Sequence, residues 1–228
     1  MERHFDACLD SLKHLLLSMS ALAEQMIADA VKALVERDAA VLPRVYEHEE
    51  RVNQLQKDVD EMCFTLIALH QPAAADLRFI LAASKINTDL ERLADQAVNI
   101  CHKAERLITQ PPVKDFAIIP EMAVIARGMV KDSLHAYVNR DVDTARDVIM
   151  RDRRLNEGKV AVTENLAQVM MANPAAIPRA LDIVLVSHNL ERIGDHAKNI
   201  AENVIFVVQG KDVRHYAPPA AGDKVAGA

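Results

Sequence analysis

Two short strings carry the chemistry of this sequence: Glu91-Arg-Leu-Ala-Asp95 and Glu191-Arg-Ile-Gly-Asp195. Each sets two carboxylates four residues apart, which on a helix places their Cβ atoms about 5–6 Å from each other on one face. Like charges at that spacing cost about 0.2–0.5 kcal/mol unless something positive sits between them. One such pair means little, but two at matching positions call for an explanation. The stripe also extends, through Thr88, Glu91, Asp95, Asn99 and His102 in one copy and His188, Glu191, Asp195, Asn199 and Glu202 in the other. Hard oxygen donors on an accessible helix face suit Mg²⁺, Mn²⁺, Ca²⁺ or iron better than zinc. On spacing alone the alternative stays open: a solvated acidic face, neutralised from the side by Arg92 or Arg192.

The elements that position these groups read as helices. Ala83, Ile86, Leu90, Leu93, Ala97, Ile100, Ala104 and Leu107 recur by threes and fours, a seam no strand can make, and the acidic stripe lies roughly opposite it. Ile183, Val186, Leu190, Ile193, Ala197, Ile200, Val204 and Val207 repeat the seam one hundred residues on. An earlier segment keeps the same rhythm through Val45, Val52, Leu55, Val59, Met62, Leu66 and Leu69, with His48 the one polar member. That segment and its repeat offer further oxygen donors at the same spacing, Glu49 with Asn53 and Asp152 with Asn156. If the second and third helices of each repeat are neighbours, four oxygen-bearing side chains can meet in each.

The duplication is direct. Asp89–Ile100 and Asn189–Ile200 share seven of twelve residues, and Arg37-Asp38 through Asn53 matches Arg140-Asp141 through Asn156. Prolines punctuate the segments at Pro43, Pro72, Pro111-Pro112, Pro120, Pro174 and Pro178, Asp38 and Asp141 stand where N-caps are wanted, and Gly210 stands where a helix stops. Long helices joined by short turns pack as antiparallel neighbours. Two copies are too few for a solenoid. The expectation is an all-α protein of six long helices in two tandem three-helix bundles, residues 1–112 and 113–212, with 213–228 as a flexible tail.

Composition narrows the function classes. The 6 glycines and 9 prolines in 228 residues disfavour turn-rich β architecture, and the apolar content is mostly aliphatic, with 8 aromatics (5 Phe, 3 Tyr) and no Trp. A net charge of −6 argues against a nucleic-acid binder. No apolar run of spanning length and no secretory leader are visible, and three widely spaced cysteines, Cys8, Cys63 and Cys101, read as reduced thiols, which points to the cytoplasm. The one Gly-Lys pair, Gly210-Lys211, ends a helix and so cannot open a P-loop. A metal-dependent carboxylate bundle enzyme would need Glu-x-x-His pairs facing a core, and no Glu here has a His three residues later.

The string Leu190-Glu-Arg-Ile-Gly-Asp-His-Ala-Lys-Asn-Ile-Ala-Glu-Asn-Val-Ile-Phe, with Gly210-Lys-Asp-Val-Arg-His215, the turn Gln71-Pro-Ala-Ala-Ala-Asp-Leu-Arg78 and the duplicated ERxxD, closely resembles the PhoU family of phosphate-signalling regulators. The resemblance covers nearly the whole chain. It implies two three-helix bundles and E(D)xxxD motifs that bind metal ions of the divalent or iron type (Mg, Mn, Fe, Ca or Zn). The matching positions are Glu91, Asp95, Glu191 and Asp195, and after them Glu49, Asn53, Asp152 and Asn156. Ala94 and Gln96 depart from the usual surroundings of the motif, Asn53 and Asn156 replace an acid, and Gln56 and Lys159 stand where some relatives are acidic. The resemblance also implies a cytosolic, non-enzymatic negative regulator of phosphate uptake, coupling a Pst-type ABC phosphate transporter to a PhoR-type sensor histidine kinase and reaching the membrane only through such partners. A metal-free adaptor remains the alternative, and flat helical faces make a homodimer feasible.

Overall fold

The Pro and Asp punctuation places the helix boundaries. In the computed structural model, which describes residues 2–113 and 117–211, the helices are α1 (Glu2–Glu36), α2 (Leu42–His70), α3 (Ala74–Ile108), α4 (Ile118–Asn139), α5 (Val142–Ala172) and α6 (Ile177–Gln209). No strand occurs among the described residues; the segment 213–228, expected as a tail, lies outside them. Asp141 caps α5 by accepting from the backbone N–H of Asp143 and Thr144 at 3.0 and 3.1 Å. Asp38 does the same for a single 3-10 turn, Ala39–Val41, that leads into α2, where Pro43 sits in the first turn. Gly210 ends α6 at φ 67°, in the left-handed conformation that a glycine adopts without strain, and its N–H donates to Phe206 O at 2.9 Å.

Helices α1, α2 and α3 pack on one another, as do α4, α5 and α6. The two triplets meet through α3 against α6 and α1 against α4, so α2 and α5 each touch only their own triplet. One apolar core runs through all six helices. The whole α3 seam from Ala83 to Leu107 and the whole α6 seam from Ile183 to Val207 are buried. The α2 seam is buried or half-buried through Leu66; Leu69, in the last turn, is 73% exposed and belongs to the surface.

Helices α3 and α6 carry a second buried face that the single seam does not reveal. It includes Gln96 on α3 and His196 and Asn203 on α6, whereas Asn87 turns to α2, where its side-chain amide donates to Gln56 O at 2.9 Å and to Asp60 Oδ1 at 3.0 Å. Burying polar groups is costly unless they are paired; Asn203 donates to Asn199 O within α6, and the charged groups are paired from one repeat to the other. His196 Nδ1 lies 2.9 Å from Asp89 Oδ1, and Asp182 receives Lys103 and Arg106, each at 3.4 Å. The order of these partners makes α3 and α6 antiparallel. Tyr137 of α4 adds a further tie: its hydroxyl donates to Phe79 O at 2.7 Å and its ring stacks on Phe79 at 4.5 Å.

Candidate metal centres on two helix pairs

Each candidate site lies where an outer helix packs on an inner one, α2 on α3 and α5 on α6. In the first repeat Glu49 and Asn53 on α2 are half-buried, Glu91 on α3 is half-buried, and Asp95 is exposed. Thr88, Asn99 and His102 continue the face as exposed residues, as their spacing predicts. Neither Arg92 nor any other cation forms an ion pair with Glu49, Glu91 or Asp95 among the described residues, although the charges of Arg92 and His196 reach Glu91. All three carboxyls are held above their ordinary range. For Glu91 the cause is burial first, then the charge of Asp95, with a smaller push from Glu49. For Glu49 it is burial and then Asp95, and for Asp95 burial. Glu49 and Glu91 therefore sense Asp95 across and along the α2–α3 groove, in an acidic cluster with no ion-pair partner that is eased only by the charges of Arg92, His196 and His102.

The second repeat is built differently. Asp152 and Glu191 are buried, at 7% and 8% exposure, so Glu191 does not lie on an open face as its counterpart does. Lys159 Nζ donates to Glu191 Oε1 at 2.6 Å, and His188 Nδ1 stands 3.2 Å from Oε2 of the same carboxylate. Lys198 Nζ donates to Asp152 Oδ2 at 3.1 Å. Asn156 Nδ2 is 3.5 Å from that oxygen, and Asp152 Oδ1 is buried with no hydrogen-bond partner. Burial opposes the charge on Lys198, but the hydrogen bond to Asp152 together with the charges of Asp152, Glu202 and Asp195 outweighs it and raises its pKa. Asp195 is raised by burial and by the charges of Glu191 and Asp152. Arg192, the expected neutraliser, takes no part: the cations here are lysines.

The helix approach has a local cause. A Cβ placed on Gly194 would lie 2.3 Å from Leu155 Cδ1, so α5 and α6 pack closely only because residue 194 is a glycine. The first repeat has Ala94 there, opposite the smaller Val52 at the position equivalent to Leu155.

Among the described residues no three His, Cys, Asp or Glu side chains form a ready-made metal cage. In donor type, though not in the spacing of the side chains as they stand, the first cluster fits a hard cation: three carboxylates on two helices with no ion-pair partner. The second does not fit, because lysines already engage Glu191 and Asp152.

A family model described as the PhoU domain matches residues 16–104 and again 119–204, one match on each repeat. The chain belongs to the PhoU family. A phosphate-specific transport system accessory protein PhoU homolog from Pseudomonas putida is 37% identical over 216 residues, covering 94% of this chain and 84% of that protein. The phosphate-specific transport system accessory protein PhoU of Escherichia coli is 31% identical over 211 residues, covering 92% and 88%. The crystal structure of PhoU from Pseudomonas aeruginosa superimposes with a TM-score of 0.87 at 36% identity, covering 91% of this chain and all of that one. The PhoU crystal structure from Streptococcus pneumoniae, at 23% identity and a TM-score of 0.85, matches in fold. Two PhoU domains in tandem thus account for the six helices. No described helix is long and apolar enough to cross a membrane.

Sequence reasoning alone misses Asp89, His196, Asp182, Lys103 and Arg106, which join the repeats. A signal is there: at the one-hundred-residue offset Asp89 faces Asn189, His196 faces Gln96, Asp182 faces Ala82 and Lys103 faces Asn203. Each acid–base pair is made once and not again at the equivalent place, which for Asp89 and His196 holds Asn189 and Gln96, so the two copies differ at these positions.

Proposed function

We propose that the chain is a non-enzymatic accessory regulator of phosphate transport, one that restrains phosphate uptake and the phosphate-starvation response from the cytoplasmic side of the membrane. The observation that carries this reading is the match of both repeats to the PhoU domain, with relatives named as phosphate-specific transport accessory proteins aligned over nearly the whole chain. In this reading the protein is an adaptor between a Pst-type ABC transporter and a PhoR-type sensor kinase. The fold suits an adaptor, since six long helices locked by one core present wide, rigid faces, which give area for partner contacts without a deep cavity.

Glu49, Glu91 and Asp95 would hold a hard divalent or iron-type ion. Such an ion, when bound, supplies positive charge that cancels the repulsion among the three carboxylates. Because Glu49 comes from α2 and the others from α3, these side chains tie the outer helix to the inner one and set the shape and charge of that face.

The test is deletion of the gene in its host. Phosphate-starvation genes should then become active in phosphate-rich medium, and restoring the gene should silence them again. Starvation genes that remain fully repressible after the deletion would refute the assignment.

A further inference from the structure

We propose that in the second repeat the ammonium groups of Lys159 and Lys198 stand in for a metal ion, so that the chain takes up metal at Glu49, Glu91 and Asp95 alone. This rests on the metal reading given above and assigns it to one repeat.

The two clusters carry equivalent acids. Glu49, Glu91 and Asp95 correspond to Asp152, Glu191 and Asp195, and each set carries a formal charge of −3 when ionised. What differs is the pair of lysines. The positions equivalent to Lys159 and Lys198 are Gln56 and Val98, neither of them charged. The lysines cross the helix pair in opposite directions: Lys159 reaches from α5 to Glu191 on α6, and Lys198 reaches from α6 to Asp152 on α5. Two ammonium charges against three carboxylates leave −1 where the first repeat keeps −3.

Affinity for a hard cation follows the number and charge of its oxygen ligands. In the second repeat a divalent ion would have to displace two ammonium groups that stay tethered beside it at high effective concentration. Of these three acids, the lysines and His188 leave over one carboxylate, Asp195, and one buried oxygen, Asp152 Oδ1. That is far short of the roughly six oxygens a hard divalent ion gathers. The same contacts explain why Glu191 and Asp152 are buried while Glu91 and Glu49 are more open: an ion pair with its own lysine allows a carboxylate to leave water.

The test uses the full chain, stripped with chelator and titrated with Mn²⁺, with binding read by electron paramagnetic resonance and bound metal counted by elemental analysis. In the wild type, Glu91→Gln with Asp95→Asn should weaken Mn²⁺ binding by about tenfold or more. Glu191→Gln with Asp195→Asn should leave it unchanged. Lys159→Gln with Lys198→Val, which copies the first repeat into the second, should add a Mn²⁺ site that Glu191→Gln then removes. Lys159→Gln alone serves if the double variant does not fold, checked by circular dichroism. Wild-type binding lost with Glu191 and Asp195 but kept without Glu91 and Asp95 overturns the inference and leaves the metal reading standing. So does a folded lysine variant that binds no more than the wild type. Absence of Mn²⁺ from the wild type and every variant overturns both.

Discussion

Gly194→Ala tests the packing that brings α5 against α6. The added methyl carbon would stand 2.3 Å from Leu155 Cδ1, against about 3.5–4 Å for a comfortable carbon contact. Leu155 is fully buried and Met129 Cε stands 3.7 Å from the same point, so there is little space into which the leucine can retreat. Overpacking of this kind costs about 1–3 kcal/mol. Replacing a mid-helix glycine by alanine returns about 1 kcal/mol. With so little space for Leu155 to retreat the clash should lie toward the upper end of that range and win, leaving a net loss of up to about 2 kcal/mol, or a fall of up to about 8 °C in Tm for a chain of this size. The first repeat supplies the remedy. Val52 with Ala94 and Leu155 with Gly194 contain the same number of side-chain carbons, divided differently between the two helices. Leu155→Val alone should cost about 1 kcal/mol for the lost methylene. The double variant Gly194→Ala, Leu155→Val should recover most of the wild-type stability in urea or thermal unfolding. A single Gly194→Ala variant as stable as the wild type, or a double variant whose loss equals the sum of the two singles, would refute the reasoning.

Three other outcomes are expected. Glu91 and Asp95 hold their protons more tightly in the folded chain than in the unfolded one, so a penalty against folding builds as the pH rises past their ordinary values and is complete above the raised ones; in metal-free protein Glu91→Gln with Asp95→Asn should raise Tm at pH 7, by a margin that vanishes below the ordinary values of 4.5 and 3.8. Tyr137→Phe removes the donor to the buried carbonyl of Phe79 and should cost about 1–3 kcal/mol in urea unfolding, with little change in the denaturant slope. Burial pushes the thiols of Cys63 and Cys101 up to about 12, so brief iodoacetamide treatment at pH 7.5 should label Cys8 alone, and mass spectrometry should find the other two modified only after denaturation.

Much of the fold is legible in the sequence because helices joined by short turns leave regular marks. The α3 and α6 seams follow from a regular three-and-four spacing, and the caps at Asp38 and Asp141 and the stop at Gly210 are set by contacts within a few residues. The identity of the acidic residues is equally plain. Their states are not, because Glu191 differs from Glu91 through Lys159, a residue on another helix whose reach depends on helix rotation. The meeting of α3 with α6 is hidden for a related reason. Periodicity marks one apolar stripe clearly, whereas a second face carrying Asp89, Gln96 and His196 resembles a solvated surface until its partners are in place. Leu69 errs in the opposite sense: it keeps the rhythm of α2 yet sits in that helix's final turn, outside the core.

The unequal pairs across the midline, Asp89 with His196 and Asp182 with Lys103 and Arg106, have a consequence for how the molecule holds its shape. Each half supplies both an acid and a base that only the other half can answer. Severing the chain between α3 and α4 would therefore yield two fragments that prefer each other over a second copy of themselves. The two repeats, alike in fold, thus meet as a lock and its own key.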